Sequence, residues 1–252
     1  MIEVKDLYVG YDGKPILRDI TLCFPRGKVT VLIGPNGCGK STLLRTVLAL
    51  MPKLGGQIFY DGVNADTITG RQIARQAAFL SQSRNVPDII VNRMVLHGRF
   101  AHLSFPRQYR PQDKAIAREA LRLADAADLE DRFVQRLSGG QRQKVYLAMA
   151  LAQKTETIFM DEPTTFMDIR HQLDVMHIAH CLAQEGKAVV MVLHDLCLAM
   201  RAADYLVVLA QGKIQMAAAP QEVFAAGVIS RVFGVSLSYT QTPRGRRYYY
   251  GD

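Results

Sequence analysis

The stretch Gly34-Pro35-Asn36-Gly37-Cys38-Gly39-Lys40-Ser41-Thr42 constrains this chain more than any other. It follows an apolar run, Val29 to Ile33, and precedes a helix-patterned stretch, Leu43 to Leu50. That is the strand-loop-helix setting required by the template G-x-x-x-x-G-K-[ST]. Glycines let successive backbone N–H groups turn inward, and the following helix adds its positive end at the same point, so polyphosphate fits there. Lys40 would reach the terminal phosphates as a point charge, Ser41 would occupy one position around a magnesium ion, and Thr42 would donate to an α-phosphate.

A second signal is Ile158-Phe159-Met160-Asp161-Glu162-Pro163-Thr164, a buried strand ending in adjacent carboxylates. Successive strand side chains point to opposite sides, so the two acids have different tasks. Asp161 suits the magnesium shell, which leaves Glu162 to orient or deprotonate a water in line with the γ-phosphorus. A third is Leu137-Ser138-Gly139-Gly140-Gln141-Arg142, ahead of a helix expected from about Gln143 to Gln153. Ser138 is a good N-cap, and the glycines allow another backbone to approach. This second helix N-terminus also wants an anion, yet the chain has one P-loop.

At 252 residues the chain fits one large domain or one and a half, and 49% hydrophobic with 21% charged residues reads as a globular rather than a disordered chain. No apolar run approaches the ~18 residues of a membrane span. Met1 to Asp6 alternates like a strand and not like a secretory signal, so a cytoplasmic protein is expected. Cys23, Cys38, Cys181 and Cys197 lack any C-x-x-C spacing, which argues for reduced thiols, and Cys38 sits where a helix N-terminus favours thiolate. The formal charge of +8 implies attraction to something acidic: nucleic acid, anionic lipid or the nucleotide itself.

Strands are expected at 2–8 and 19–24, joined by a turn-rich Gly10 to Pro15, and at 57–62 with an Asp-Gly turn. From Ser83 to Gln153 strand patterns vanish, and Gln112 to Ala126 reads as an amphipathic helix. Strand and helix then alternate: 157–160, 168–184, 188–193, 195–203 and 205–210, which implies a parallel sheet with phosphate at its carboxyl ends. The fold class is thus α/β, a P-loop core of residues 1–82 and 154–252 with an N-terminal antiparallel β subdomain, and an inserted helical subdomain at 83–153. The tail from Pro243 to Tyr250 mixes arginine and tyrosine, which could stack on single-stranded nucleic acid, but a closing strand or a frayed end is the preferred reading. His171, Asp174, His177 and His180 recur at three-residue steps, which drift round the helix and do not converge on a metal.

The three motifs, in this order, resemble the ATP-binding subunit of an ABC transporter over nearly the whole chain. The resemblance implies ATP and Mg²⁺ as cofactors. Tyr11 resembles the aromatic that stacks on adenine, and Gln82 the glutamine that touches magnesium and reports to the membrane partner. Leu137 to Gln141 resembles the signature sequence facing the opposite subunit's nucleotide, with Ser138, Gly139, Gly140 and Gln141 as its contacts. Pro163 to Asp168 resembles the loop joining the two nucleotide sites across a dimer, and His194 the histidine that contacts the γ-phosphate. Met167 departs from the usual leucine, and Thr157 puts a hydroxyl in a strand that is normally apolar. Neither removes a catalytic group, so an active ATPase is expected, with Glu162, His194 and Lys40 as its catalytic residues.

Val95-Leu96-His97-Gly98-Arg99, the aromatic-rich stretch after it and His194-Asp195-Leu196-Cys197-Leu198-Ala199 resemble the branch serving iron-chelate, haem and cobalamin uptake. Ferric siderophore is the first choice of cargo. The implied partners are a second copy, an integral membrane permease dimer and a separate substrate-binding protein, with the chain held at the cytoplasmic face of the inner membrane. The rival is an ABC ATPase acting on DNA or ribosomes, but the chain has neither a coiled-coil insertion nor a tandem core, and no nucleic-acid partner is expected.

Overall fold

Strand β1 (Ile2–Tyr11) and β2 (Lys14–Phe24) form an antiparallel hairpin whose turn is only Asp12 and Gly13, at φ of 50° and 73°. The strands therefore run further than alternation suggests, because a two-residue turn at positive φ matches their twist and absorbs the glycine-rich stretch. Then come β3 (Val29–Ile33), α1 (Lys40–Val47), β4 (Gly55–Tyr60), β5 (Val63–Asn64), α2 (Gly70–Gln76) and β6 (Ala77–Leu80). A helical stretch comprises α3 (Val91–Leu96), a short 3₁₀ segment His97–His102, α4 (Pro111–Leu123) and α5 (Gly139–Ala152). The chain continues through β7 (Thr157–Asp161), α6 (Ile169–Gln184), β8 (Ala188–Val192), α7 (Leu196–Ala202), β9 (Tyr205–Ala210) and β10 (Lys213–Ala218). It closes with α8 (Pro220–Ala225), α9 (Val228–Phe233) and the hairpin β11 (Ser236–Thr242) and β12 (Gly245–Gly251). This computed structural model describes residues 1–81, 86–165, 167–243 and 245–251.

The central sheet has the order β10-β9-β3-β8-β7-β6, parallel except for β10, and β2-β1-β4-β5 form a separate antiparallel sheet. Its strands read as continuous apolar runs because both faces are covered. Val29, Val31, Ile33, Ile158, Met160, Val189 and Met191 pack with the helices α3 to α7. Their neighbours Leu32, Phe159, Val190 and Val192 pack instead with α1 and the antiparallel sheet. Phe159 meets Phe24 edge-on, with ring centroids 5.4 Å apart, and its truncation to alanine should cost ~3–5 kcal/mol. No helix among the described residues is long and apolar enough to cross a membrane.

Other elements also differ from expectation. Helix α1 starts at Lys40 rather than Leu43, and α5 at Gly139 rather than Gln143. The reason at α5 is a reciprocal cap: Ser138 Oγ accepts from the Gln141 N–H (3.3 Å), while Gln141 Oε1 accepts from the Ser138 N–H (3.1 Å). The α2–β6 unit is unforeseen; β6 has four residues, too few for a pattern to show. The tail is the expected closing strand, β12, paired with an unforeseen β11 in a hairpin at which Phe224, Tyr239 and Tyr248 cluster.

Candidate active site

The carboxyl ends of β3, β8 and β7, neighbours in the sheet, deliver the P-loop, His194 and Asp161 side by side. Lys40 is buried, and its Nζ donates to the carbonyls of Gly34 (2.7 Å) and Pro35 (3.0 Å). The ammonium is thus folded back over the loop that carries it. Ser41 Oγ donates to Asp161 Oδ1 at 3.0 Å. Asp161 is wholly buried, and burial raises its carboxyl above the usual carboxylate range despite the Ser41 hydrogen bond. Its Oδ2 is buried with no hydrogen-bond partner among the described residues. A carboxylate oxygen so placed, next to a serine hydroxyl, is a hard-oxygen donor set suited to a divalent cation.

Glu162 lies just past β7 at φ 52°, a left-handed backbone rarely adopted outside glycine and asparagine. The two acids diverge for that reason, not through simple strand alternation. Glu162 Oε1 meets His194 Nε2 at 2.5 Å, and Thr165 Oγ1 donates to Glu162 Oε2 at 3.2 Å. The Glu162 N–H donates to the Val192 carbonyl (3.2 Å), which ties the turn to β8. Thr165 was missed by sequence reasoning; its only local signal is a hydroxyl three residues beyond the acid. Tyr11, half exposed, touches Thr42 Oγ1 through its hydroxyl at 3.4 Å, so the aromatic stands at the helix that opens after the loop. Asn36, Gly37 and Cys38 line a cavity of about 500 Å³ bounded by Gln211, Gly212 and Arg231. The Cys38 sulfur is 3.9 Å from Lys40 Nζ.

The other predicted residues gather elsewhere. Ser138, Gly139, Gly140 and Gln141 border a separate open cleft of about 870 Å³ together with Met167 and Asp168. Asp168 caps α6, accepting from the His171 N–H (2.9 Å) and from His171 Nδ1 (2.8 Å), which hold its carboxyl below the usual range. Gln143 Nε2 donates to the Pro163 carbonyl (2.8 Å), which links α5 to the loop after Glu162. Gln82 lies outside the described residues.

The ABC transporter family model matches residues 17–165. The iron(3+)-hydroxamate import ATP-binding protein of Bacillus subtilis (strain 168) is 36% identical over 96% of this chain and 91% of its own length. The ferric enterobactin transport ATP-binding protein of Escherichia coli (strain K12) is 38% identical, covering 95% and 89%. Among solved structures, an ABC transporter assigned to the metal-chelate type, in an inward-facing conformation, superposes with a TM-score of 0.85 at 24% identity, over 99% of this chain and 96% of that one. That likeness establishes the same fold. On the extent of the family match and of these relatives, the chain belongs to the ABC transporter family, as an ATP-binding and ATP-hydrolysing subunit.

Proposed function

We propose that this chain is the ATPase of an importer for iron chelates, ferric siderophore foremost, working with a separate membrane permease dimer and a substrate-binding protein. The observation that carries the reading is the near full-length similarity to import ATP-binding proteins named for ferric hydroxamate and ferric enterobactin. The chain would then sit on the cytoplasmic face of the membrane, held there by the permease.

In this reading Lys40 exchanges the Gly34 and Pro35 carbonyls for phosphate oxygens, while the loop amides of 34–42 cradle the rest. Ser41 and Asp161 would hold Mg²⁺, with Gln82 as a further contact; the unpartnered Asp161 Oδ2 supports this. When bound there, the ion would supply positive charge to offset that of the phosphates. Glu162 accepts the proton of the attacking water, and the water's oxygen bonds to the γ-phosphorus as the bond to ADP breaks. His194, hydrogen-bonded to Glu162, contacts the γ-phosphate and orients the acid. Tyr11 stacks on adenine. Ser138, Gly140 and Asp168 serve the nucleotide of a second copy, so that two ATP molecules are enclosed at a two-fold interface.

Cells lacking this chain should stop taking up ferric siderophore supplied as the sole iron source. The parent sequence should restore uptake, and Glu162→Gln should not. Undiminished uptake without the chain would overturn the cargo.

A further inference from the structure

Half of the formal charge of +8 comes from residues 99–118, which hold five basic residues and a single carboxylate. Arg99 and Asp113 are buried and neutralise each other: Arg99 Nε donates to Asp113 Oδ1 at 3.0 Å, and Arg99 Nη1 to the Ala152 carbonyl at 3.0 Å. Arg107, Arg110, Lys114 and Arg118 are left exposed. Arg110, Lys114 and Arg118 recur at four-residue steps from the N-cap of α4, so they form one stripe along that helix. Of these four, only Arg118 makes a side-chain ion pair among the described residues, with Glu130 at 4.0 Å.

Aromatic rings stand beside this stripe. Phe105 is 96% exposed, the most exposed of the chain's large apolar side chains among the described residues. Phe100 is half exposed, with the Arg107 guanidinium 4.8 Å above its ring. Phe105 and Arg110 share a cleft of about 490 Å³, lined mostly by polar side chains such as His102, Gln108 and Gln112. No apolar groove accompanies the protruding ring there.

We propose that the loop after Phe100 and the exposed stripe of α4 form a contact for an anionic lipid surface. Charge complementarity selects this occupant. A protein interface is built round a buried centre depleted of charged residues, whereas this stripe is charged along its length. A bilayer surface needs neither fixed geometry nor a groove: scattered cations meet acidic headgroups, and an exposed ring dips into the interfacial layer. The contact concerns the membrane itself, not the cargo, and stands whichever solute is carried.

The sequence contains no tryptophan, so Phe105→Trp creates a single reporter at the tip. Vesicles of phosphatidylcholine mixed equally with phosphatidylglycerol should shift its emission to the blue, and brominated acyl chains should quench it. Phosphatidylcholine alone should do neither, and added salt should reverse the shift. Combining Arg107→Ser, Arg110→Ser and Lys114→Ser should weaken vesicle binding about a hundredfold, at roughly fivefold per basic residue near an anionic surface. The matched control Lys5→Ser, Lys14→Ser and Arg18→Ser, exposed on the antiparallel sheet, should leave binding unchanged. Equal losses in the two triple variants would show that net charge alone is responsible and would overturn the site. So would an unmoved tryptophan, or binding to neutral vesicles. A shift with soluble polyglutamate but not with anionic vesicles would assign the patch to an acidic protein instead and overturn the lipid contact. ATP turnover at the parent rate in each variant checks that it is folded.

Discussion

The two glycine-rich segments of this chain answer to different masters. At Gly34 an added Cβ would stand 2.2 Å from the Leu209 carbonyl oxygen and 2.7 Å from the Cys38 sulfur, and at Gly39, with φ at +100°, 2.9 Å from Leu17. At these two positions the P-loop is bare because the chain's own backbone and core press on it, while Gly37 has open space and a φ of +76° instead. At Gly140 an added Cβ meets nothing within 4 Å. Nothing inside the chain demands that glycine. Gly34 and Gly39 are explained by their own neighbours, whereas Gly140 sits on an open helix start, where the proposed second copy would supply the demand for bareness.

The sharpest way to break this comparison is to disable the complete half. Glu162→Gln should reduce ATP turnover by about 10²–10⁴-fold, the worth of a positioned general base, while nucleotide binding persists. Phosphate release and equilibrium binding measure the two separately, and turnover at the parent rate would sink the base assignment. Next comes the open half. Gly140→Asp adds a carboxylate in the first turn of α5, where the helix end welcomes it, so thermal stability and ATP binding by the single chain should hold or improve. Turnover and ATP-induced pairing of Glu162→Gln molecules carrying this change should both fail, since the acid would face a partner's phosphates. Retained pairing in sedimentation would show that Gly140 serves no second copy. By contrast, Gly34→Ala should destabilise the chain by roughly 1–3 kcal/mol, the usual cost of overpacking a tight site.

The sequence carried the first half of this comparison well because each motif there is contiguous and ends a buried strand. Apolar runs ending at Ile33, Asp161 and Leu193 placed the loop, the acids and His194 at carboxyl ends. Which strands are neighbours was not legible: the order β3-β8-β7 is a tertiary fact, and it alone puts His194 within hydrogen-bond reach of Glu162. The left-handed turn at Glu162 was hidden as well, because glutamate gives no signal for positive φ. Alternation therefore predicted the right divergence of the two acids for the wrong reason. In the helical half, the Ser138 and Gln141 pair is a recognisable capping box, but the glycines after Ser138 masked the start of α5.

Smaller effects refine the division between function and stability. Asp161 binds its proton more tightly in the folded, nucleotide-free chain than in the unfolded one, because burial penalises the charge. Its contribution to stability is therefore full below the ordinary carboxylate range and fades as pH rises through the raised value. At neutral pH, Asp161→Asn should raise the melting temperature of the nucleotide-free protein and abolish magnesium-dependent turnover. A lower melting temperature would mean that the Ser41 hydrogen bond outweighs burial.

Thr165 is the finest probe. Its hydroxyl donates to the Glu162 oxygen that His194 does not touch, and the Thr165 N–H reaches back to the Glu162 carbonyl at 3.3 Å, closing the turn. If the strained acid is aimed from both sides, Thr165→Val keeps size and branching but removes the Thr165 hydrogen bond to it. The loss of a hydrogen bond to a charged group is worth ~1.5–3 kcal/mol at most, so turnover should fall about tenfold, with KM for ATP unchanged. Thr165→Ser should restore the rate, which a packing role for the methyl would not permit. The same change should leave ATP-induced pairing intact, since it acts on the half of the site that one chain completes by itself.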